Sequence, residues 1–183
     1  MNPTARRSPG LPDGLATPNS ARVPKPVNLI VACSENRVIG RKGGLPWSIP
    51  EDTRFFQEKT LGQTVIMGSR SFGEWPSCVK GRDVVVITHE PEKIPAGVVA
   101  VGTLTEAIAR AQALRGEIYL CGGQRVYEEG LAVGDRLFLT LVHTTITDGD
   151  TFFPDWRTTF TNEIARRESH DGNWDYTFLT LEK

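Results

Sequence analysis

The sequence predicts one α/β domain with a mostly parallel central sheet, closed at one edge by an antiparallel C-terminal hairpin. Three observations point there. Short apolar runs such as Val27-Asn28-Leu29-Ile30-Val31-Ala32 and Asp83-Val84-Val85-Val86-Ile87-Thr88 alternate with segments of helical periodicity as far as Gly130. Runs of this kind suit strands buried on both faces, and parallel strands need crossover helices between them. Beyond Arg136 the helical segments stop, and Asp171-Gly172-Asn173 interrupts two β-rich stretches as a hairpin turn does. The chain of 183 residues, 39% hydrophobic and 23% charged, is long enough for one real core. No internal repeat or second domain is visible.

The elements follow in order. Residues 27–32 read as a buried strand, and 33–50 as a long loop with Gly40, Gly43 and Gly44 as flexible points. Residues 52–59 read as helix, 64–67 as strand and 69–75 as a short helix. Strands follow at 83–88 and 98–101. The Ala-rich stretch 105–114 is the clearest helix, with Thr103 or Thr105 as its cap. Residues 117–121 read as strand, and 124–129 as a helix stopped by Gly130. A strand at 136–143 precedes the closing hairpin within 158–183.

Residues 1–26 differ in kind. Six of the 12 prolines fall there, and four basic residues (Arg6, Arg7, Arg22, Lys25) face one acid, Asp13. The segment is therefore +3, which leaves −4 for the rest of a chain whose net charge is −1. Little apolar surface is available to bury, so a flexible Pro-rich extension ahead of a domain over 27–183 is expected. A basic, acid-poor start also suits a transit peptide, but the prolines spoil an amphipathic helix. The charge balance makes no case for nucleic acid, and no apolar run spans a bilayer. No charged start leads into an apolar core, so no secretory signal is expected. Three scattered cysteines (Cys33, Cys78, Cys121) and three histidines without clustering suit a reducing cytoplasm, and no metal site is expected.

Asp52 is the most informative side chain. An apolar, Pro-punctuated loop, Leu45-Pro46-Trp47-Ser48-Ile49-Pro50, runs into a helix with Asp52 in its first turn and Phe56 four residues on. Positions four apart share a helix face, so an acid and an aromatic project together under the loop. That suits a pocket for a flat, protonatable ring. The neighbouring Glu51 is expected to serve as an ordinary helix-capping acid, the commoner fate of a first-turn carboxylate. Two strand-to-helix junctions, Met67-Gly68-Ser69-Arg70-Ser71 and Cys121-Gly122-Gly123-Gln124-Arg125-Val126-Tyr127, combine glycine with an arginine at a helix N-terminus. Free N–H groups, the dipole and a guanidinium together suit phosphate, and two such junctions suit the two ends of a dinucleotide. Neither has the G-x-G-x-x-G spacing.

At these residues the chain from Val27 to Lys183 resembles the dihydrofolate reductases. The resemblance rests on Asn36-Arg37-Val38-Ile39-Gly40, Leu45-Pro46-Trp47 with Asp52 and Phe56, Val65-Ile66-Met67-Gly68, Gly122-Gly123 with Tyr127, and Gly149-Asp150-Thr151-Phe152-Phe153-Pro154, all in order. It implies the three-layer fold of that family and NADPH-dependent reduction of 7,8-dihydrofolate to tetrahydrofolate for one-carbon, thymidylate and purine metabolism. It also implies a target of antifolate inhibitors; a monomer is the default expectation, and the cytoplasm is expected from the cysteines. Asp52 then matches the carboxylate that binds the pterin and helps N5 gain a proton, assisted by Thr140. Leu45 and Trp47 match the loop that closes over the nicotinamide. Ile30, Val31, Phe56, Trp75, Val79, Cys121 and Tyr127 match positions around the substrate, and Arg82 matches the arginine that grips the glutamate tail. Ala32, Ile39, Gly68, Ser69, Arg70, Ser71, Thr88 and His89 match cofactor positions. So do Gly122, Gly123, Gln124, Arg125, Val126 and Tyr127, with a cis peptide between Gly122 and Gly123.

Several of these residues also have ordinary structural uses. Trp47 and Phe56 suit a core, Thr140 a strand, Arg82 a solvated loop, and Tyr127 a core site with its hydroxyl on a backbone group. The chain departs from the family pattern at Ser69, where a basic residue usually stands; here the cation is one place later, at Arg70. That weakens the expected preference for NADPH over NADH. Cys121 and the bulky Trp75 depart as well, and an altered response to diaminopyrimidine antifolates is expected from them. Two competing readings are a related pterin or riboflavin-pathway reductase and a non-catalytic nucleotide-binding protein. The former does not keep Leu-Pro-Trp followed by an acid five residues later.

Overall fold

A computed structural model describes residues 23–183. The expected extension over 1–26 lies outside the described residues except for its last four. Of these, Lys25 is tied to the domain: its backbone N–H donates to Gln112 Oε1 at 2.9 Å, and Gln112 Nε2 donates back to its carbonyl at 3.1 Å.

The chain forms, in order, β1 (Val27–Ser34), β2 (Val38–Gly40), α1 (Pro50–Thr60), β3 (Thr64–Gly68), α2 (Ser69–Glu74), β4 (Asp83–Ile87), β5 (Val99–Val101), α3 (Leu104–Gln112), β6 (Ile118–Leu120), α4 (Gln124–Val133), β7 (Arg136–Val142), β8 (Thr151–Phe152), β9 (Asn162–His170) and β10 (Asp175–Glu182). Eight strands make one sheet in the order β5-β4-β3-β6-β1-β7-β10-β9. The pairings from β5 to β7 are parallel, and β10 joins β7 and β9 antiparallel. A mostly parallel sheet with an antiparallel hairpin edge is therefore what the chain builds.

Residues along a strand alternate between faces, and the core divides accordingly. Leu29 and Val31 of β1 join Ala107 and Ala111 of α3 and Val126 and Tyr127 of α4. Ile30, between them, joins Val65, Met67 and Phe72, with Phe55, Phe56 and Trp75 packed alongside. Helices α1 and α2 thus cover one face and α3 and α4 the other, giving three layers. The edge strand β9, Asn-Glu-Ile-Ala-Arg-Arg-Glu-Ser-His, is exposed over all but one residue. Its charges guard an open edge against further strand pairing.

Three local readings change. Gly130 does not end α4, which continues to Val133 with Gly134 as C-cap. Gly130 instead lets the helix lie close to the sheet: a Cβ there would sit 2.5 Å from Leu120 Cδ1. Glu51 does not cap α1. The N-cap is Ile49, which offers no side-chain bond, and the Glu51 carboxylate turns to β9 and β10. The loop over 33–50 also contains β2, which pairs with β8 in a small second sheet too short to signal itself by periodicity. Thr103, one of the two expected caps, does cap α3, accepting from the Glu106 N–H at 3.2 Å.

Candidate active site

A cavity of about 920 Å³ opens at the C-terminal ends of β1, β3, β4 and β6. The chain runs from β1 out to β3, β4 and β5, then returns to place β6 between β3 and β1 and crosses to β7 beyond. Ligands of open α/β sheets bind where the winding reverses in this way. The volume suits ligands of cofactor or drug size.

The deep side is built on α1. Asp52, Thr53, Phe56 and Gln57 line the cavity, the one-face pattern that four-residue spacing dictates. Asp52 is half-buried, and the Thr140 hydroxyl on β7 donates to its Oδ1 at 2.6 Å. Burial pushes the Asp52 carboxyl above its ordinary range, and the Thr140 bond only partly opposes this. Its neighbour behaves in the opposite way. Glu51 accepts from Ser169 Oγ at 2.6 Å, Tyr176 Oη at 2.7 Å and Arg167 Nη1 at 2.6 Å, and these bonds draw it down to about 2.

Across the sheet, the two glycine junctions meet. The Gly68 N–H donates to the Gly122 carbonyl at 2.8 Å, and a Cβ on Gly123 would sit 3.0 Å from Ser71 Oγ. The Gly122–Gly123 peptide is cis. Gly68 and Gly123 are the N-caps of α2 and α4, and neither helix has a side-chain cap bond. Arg70 and Arg125 are mostly exposed, each paired among the described residues only with an acid on its own helix, Glu74 and Glu129, at 3.2 Å. Exposed pairs of this type are weak and can yield to an incoming anion.

With this geometry in place, similarity to known proteins is informative. A family model described as "Dihydrofolate reductase" matches residues 26–183. The dihydrofolate reductase of Buchnera aphidicola is 30% identical over 162 residues, covering 86% of this chain and 98% of that protein. The type 3 dihydrofolate reductase of Salmonella typhimurium is 35% identical over 140 residues, covering 76% and 85%. Among solved structures, the dihydrofolate reductase from Enterococcus faecalis complexed with NADP(H) and RAB-propyl aligns with a TM-score of 0.77 and 30% identity, covering 86% of this chain and 95% of that one. The chain belongs to the dihydrofolate reductase family.

The dihydrofolate reductase fold brings most of the expected residues to one cavity. Ile30, Val31, Ala32, Ile39, Leu45, Trp75, Thr88, His89, Cys121 and Tyr127 line it with the α1 residues and both junctions, including Ser69, Gln124 and Val126. Tyr127 does two things at once: its ring is in the wall, while its hydroxyl donates to the Ile30 carbonyl at 2.7 Å. Four expected residues lie off the wall. Thr140 is buried behind Asp52. Trp47 is buried against Ile49, Val142, Tyr176 and Phe178, and its Nε1 has no partner among the described residues. Such an orphan costs about 1–3 kcal/mol unless a water or ligand atom completes it. Val79 stands 40% exposed in the 3₁₀ turn Pro76–Val79. Arg82 is only 8% exposed: Nε donates to Thr60 Oγ1 at 2.9 Å, Nη1 to the Lys80 carbonyl at 3.1 Å, and the guanidinium lies 5.2 Å from the Trp75 ring centroid.

Some wall residues were not anticipated. Gly102, Thr103 and Leu104 form a third strand-to-helix junction, which shares the glycine but has no arginine in its first turn and a helix start capped by Thr103. Its glycine was the available signal. Asp150 and Thr151 also reach the cavity. Asp150 Oδ2 accepts from the Lys42 N–H at 2.8 Å, and the Phe153 N–H donates to the Arg37 carbonyl at 2.7 Å, so this segment holds the loop above Asp52's helix. No helix of the described residues is long and apolar enough to cross a membrane.

Proposed function

We propose that this chain reduces 7,8-dihydrofolate to 5,6,7,8-tetrahydrofolate with NADPH, supplying one-carbon, thymidylate and purine metabolism. The carrying observation is the half-buried Asp52, bonded to Thr140, facing a cavity whose far side holds two uncapped, glycine-lined helix starts. That second half is a donor set: backbone N–H groups, the Ser71 hydroxyl and two guanidiniums, with no Cβ at Gly68 or Gly123 to block approach. It fits a cofactor made of two nucleosides joined by a diphosphate, with one further phosphate on one of the riboses.

NADPH, when bound, supplies the hydride. The chain's own residues do the rest. Gly68, Ser69, Ser71, Gly122 and Gly123 with Gln124 would hold the cofactor's phosphates. Asp52 Oδ2 accepts the pterin's 2-amino and ring N–H groups, while Thr140 keeps Oδ1 in place. Because burial raises the Asp52 pKa, the carboxyl holds its proton to higher pH than an exposed Asp and can deliver it towards N5. Phe56, Ile30 and Trp75 wall the ring and exclude water, and Leu45 closes the mouth, its loop anchored by Trp47, which is buried against Ile49 and Val142. Arg82 lies beyond the wall with Nε and Nη1 already bonded to Thr60 and Lys80, and would meet the tail carboxylate of dihydrofolate through Nη2. The reading extends to a monomer acting in the cytoplasm and open to antifolate inhibitors, with NADPH rather than NADH as the working cofactor.

The test is Asp52→Asn. It preserves shape and should leave thermal unfolding unchanged. Turnover, followed as NADPH absorbance with dihydrofolate present, should fall about 10²–10⁴-fold. Turnover within a factor of two of the parent would falsify the assignment. Chromatography against size standards tests the monomer.

A further inference from the structure

Glu51 takes no part in the chemistry above, yet it is the most heavily bonded carboxylate beside the cavity. It and Asp52 are successive residues in the first turn of α1, so their side chains leave the helix about 100° apart. Asp52 reaches Thr140 on β7. Glu51 reaches further across the sheet, to Arg167 and Ser169 on β9 and Tyr176 on β10.

These partners form one surface. Ser169 faces Tyr176 across the hairpin, and Arg167 faces Phe178. Residues two apart on a strand share a face, so all four lie together. Phe178 is in turn opposite Thr140 on β7. Arg167 lies 4.3 Å from the Phe178 ring centroid, and Phe178 lies 4.7 Å from the ring of Phe55 on α1. The two acids and their strands therefore close a ring: Asp52 to Thr140, across the ladder to β10, through Tyr176 to Glu51, and back along the helix.

We propose that Glu51, seated on Arg167, Ser169 and Tyr176, is a positioning residue that fixes the orientation of Asp52 towards substrate. This rests on Asp52 having the role given above. A helix start held only through Asp52–Thr140 can pivot about that bond; a second anchor, on the adjacent residue and directed elsewhere, removes the pivot. Acids and hydride acceptors must be held to well under 1 Å, because a displacement of that size costs about 10²-fold in rate.

The experiment is the single-turnover rate of hydride transfer in Glu51→Ala, with Glu51→Gln, Thr140→Val, the E51A/T140V pair and Asp52→Asn alongside. The expected result is a loss of about 10-fold in E51A, with the Michaelis constant for NADPH within about twofold of the parent. E51Q should recover most of the rate, since its amide oxygen still accepts from Ser169 and Tyr176. E51A should add little in the Thr140→Val background, because the geometry it protects is already lost. A parental rate in E51A, or losses that multiply fully in the pair, would overturn the proposal. If E51A does not fold, the Ser169→Ala/Tyr176→Phe variant carries the same expectations. An active Asp52→Asn would overturn the reading of Asp52 instead, whereas an inactive Asp52→Asn beside a normal E51A would overturn only the tether.

Discussion

Gly130→Ala sets two general rules against each other, and the structure decides between them. Alanine is the best helix former, and replacing an interior helical glycine by it gains about 1 kcal/mol. Gly130 is interior to α4, so propensity alone forecasts a more stable protein. Packing forecasts the opposite. The new Cβ would sit 2.5 Å from Leu120 Cδ1 and 3.7 Å from Leu29 Cδ2, and both leucines are fully buried. Leu120 is on β6, held between β1 and β3, so it has no free space to turn into. The helix must therefore lift by most of an ångström or Leu120 must leave its rotamer, at about 1–3 kcal/mol. Subtracting the propensity gain leaves a net destabilisation of about 1 kcal/mol at mid-range and about 2 at most, a fall of about 2–8 °C in Tm for a domain of this size.

Gly73→Ala provides the control. Gly73 is also helical, in α2, but a Cβ there meets nothing within 4 Å. It should gain up to about 1 kcal/mol. Urea unfolding followed by far-UV circular dichroism measures both. The two variants should move in opposite directions, and Gly130→Ala should also raise the NADPH Michaelis constant, because α4 begins at Gly123 in the half of the cavity proposed for the cofactor. A Gly130→Ala protein as stable as the parent would refute the claim that helix-to-sheet distance is what selects glycine there.

Two further predictions concern charge. Arg125→Ala should raise the Michaelis constant for NADPH more than that for NADH, since its side chain is 81% exposed and, among the described residues, is paired with Glu129 alone; equal rises for both cofactors would remove Arg125 from 2′-phosphate recognition. Glu51→Gln should alter acid stability: the folded pKa of Glu51 is lowered from 4.5 to about 2, so its stabilisation is complete above the unfolded pKa and lost as pH falls through the folded one. The parent's advantage over Glu51→Gln in urea titrations should therefore narrow steadily from about pH 5 downwards, and an advantage independent of pH would contradict the assigned bonds.

How much of this was legible in the sequence depended on where the determining contacts lie. The parallel strands β1 and β3 to β7 are apolar runs bounded by turn residues, and burial between helices makes such runs continuous, so they could be read directly. The hairpin was legible because Asp171-Gly172-Asn173 is local turn chemistry: Gly172 has φ +88°, and Asp171 Oδ1 accepts from the Asn173 and Trp174 N–H groups at 3.1 and 3.0 Å. Gly130 was misread because a glycine at a helix stop and a glycine at a close helix crossing look alike until the neighbour, Leu120, is placed. β2 and β8 are too short for periodicity to reveal, and their pairing is set by contacts across more than a hundred residues.

The two acids of α1 make the same point within the site. Glu51 and Asp52 have the same charge, sit in the same turn, and both satisfy the local rule for a capping carboxylate. One is drawn down to about 2 by three donors from the hairpin; the other is pushed upward by burial with a single hydroxyl for company. Nothing within the turn distinguishes them. What does is the arrangement of β7, β9 and β10 some 90 to 125 residues away, which gives one carboxylate a full set of hydrogen-bond partners and leaves the other short of them. An acid that is fully partnered is committed to structure, and an acid left half-partnered beside a cavity has lone pairs to spend on a ligand. On that ground the division of labour between Glu51 and Asp52 follows from counting their donors, and the structural one is what keeps the chemical one aimed.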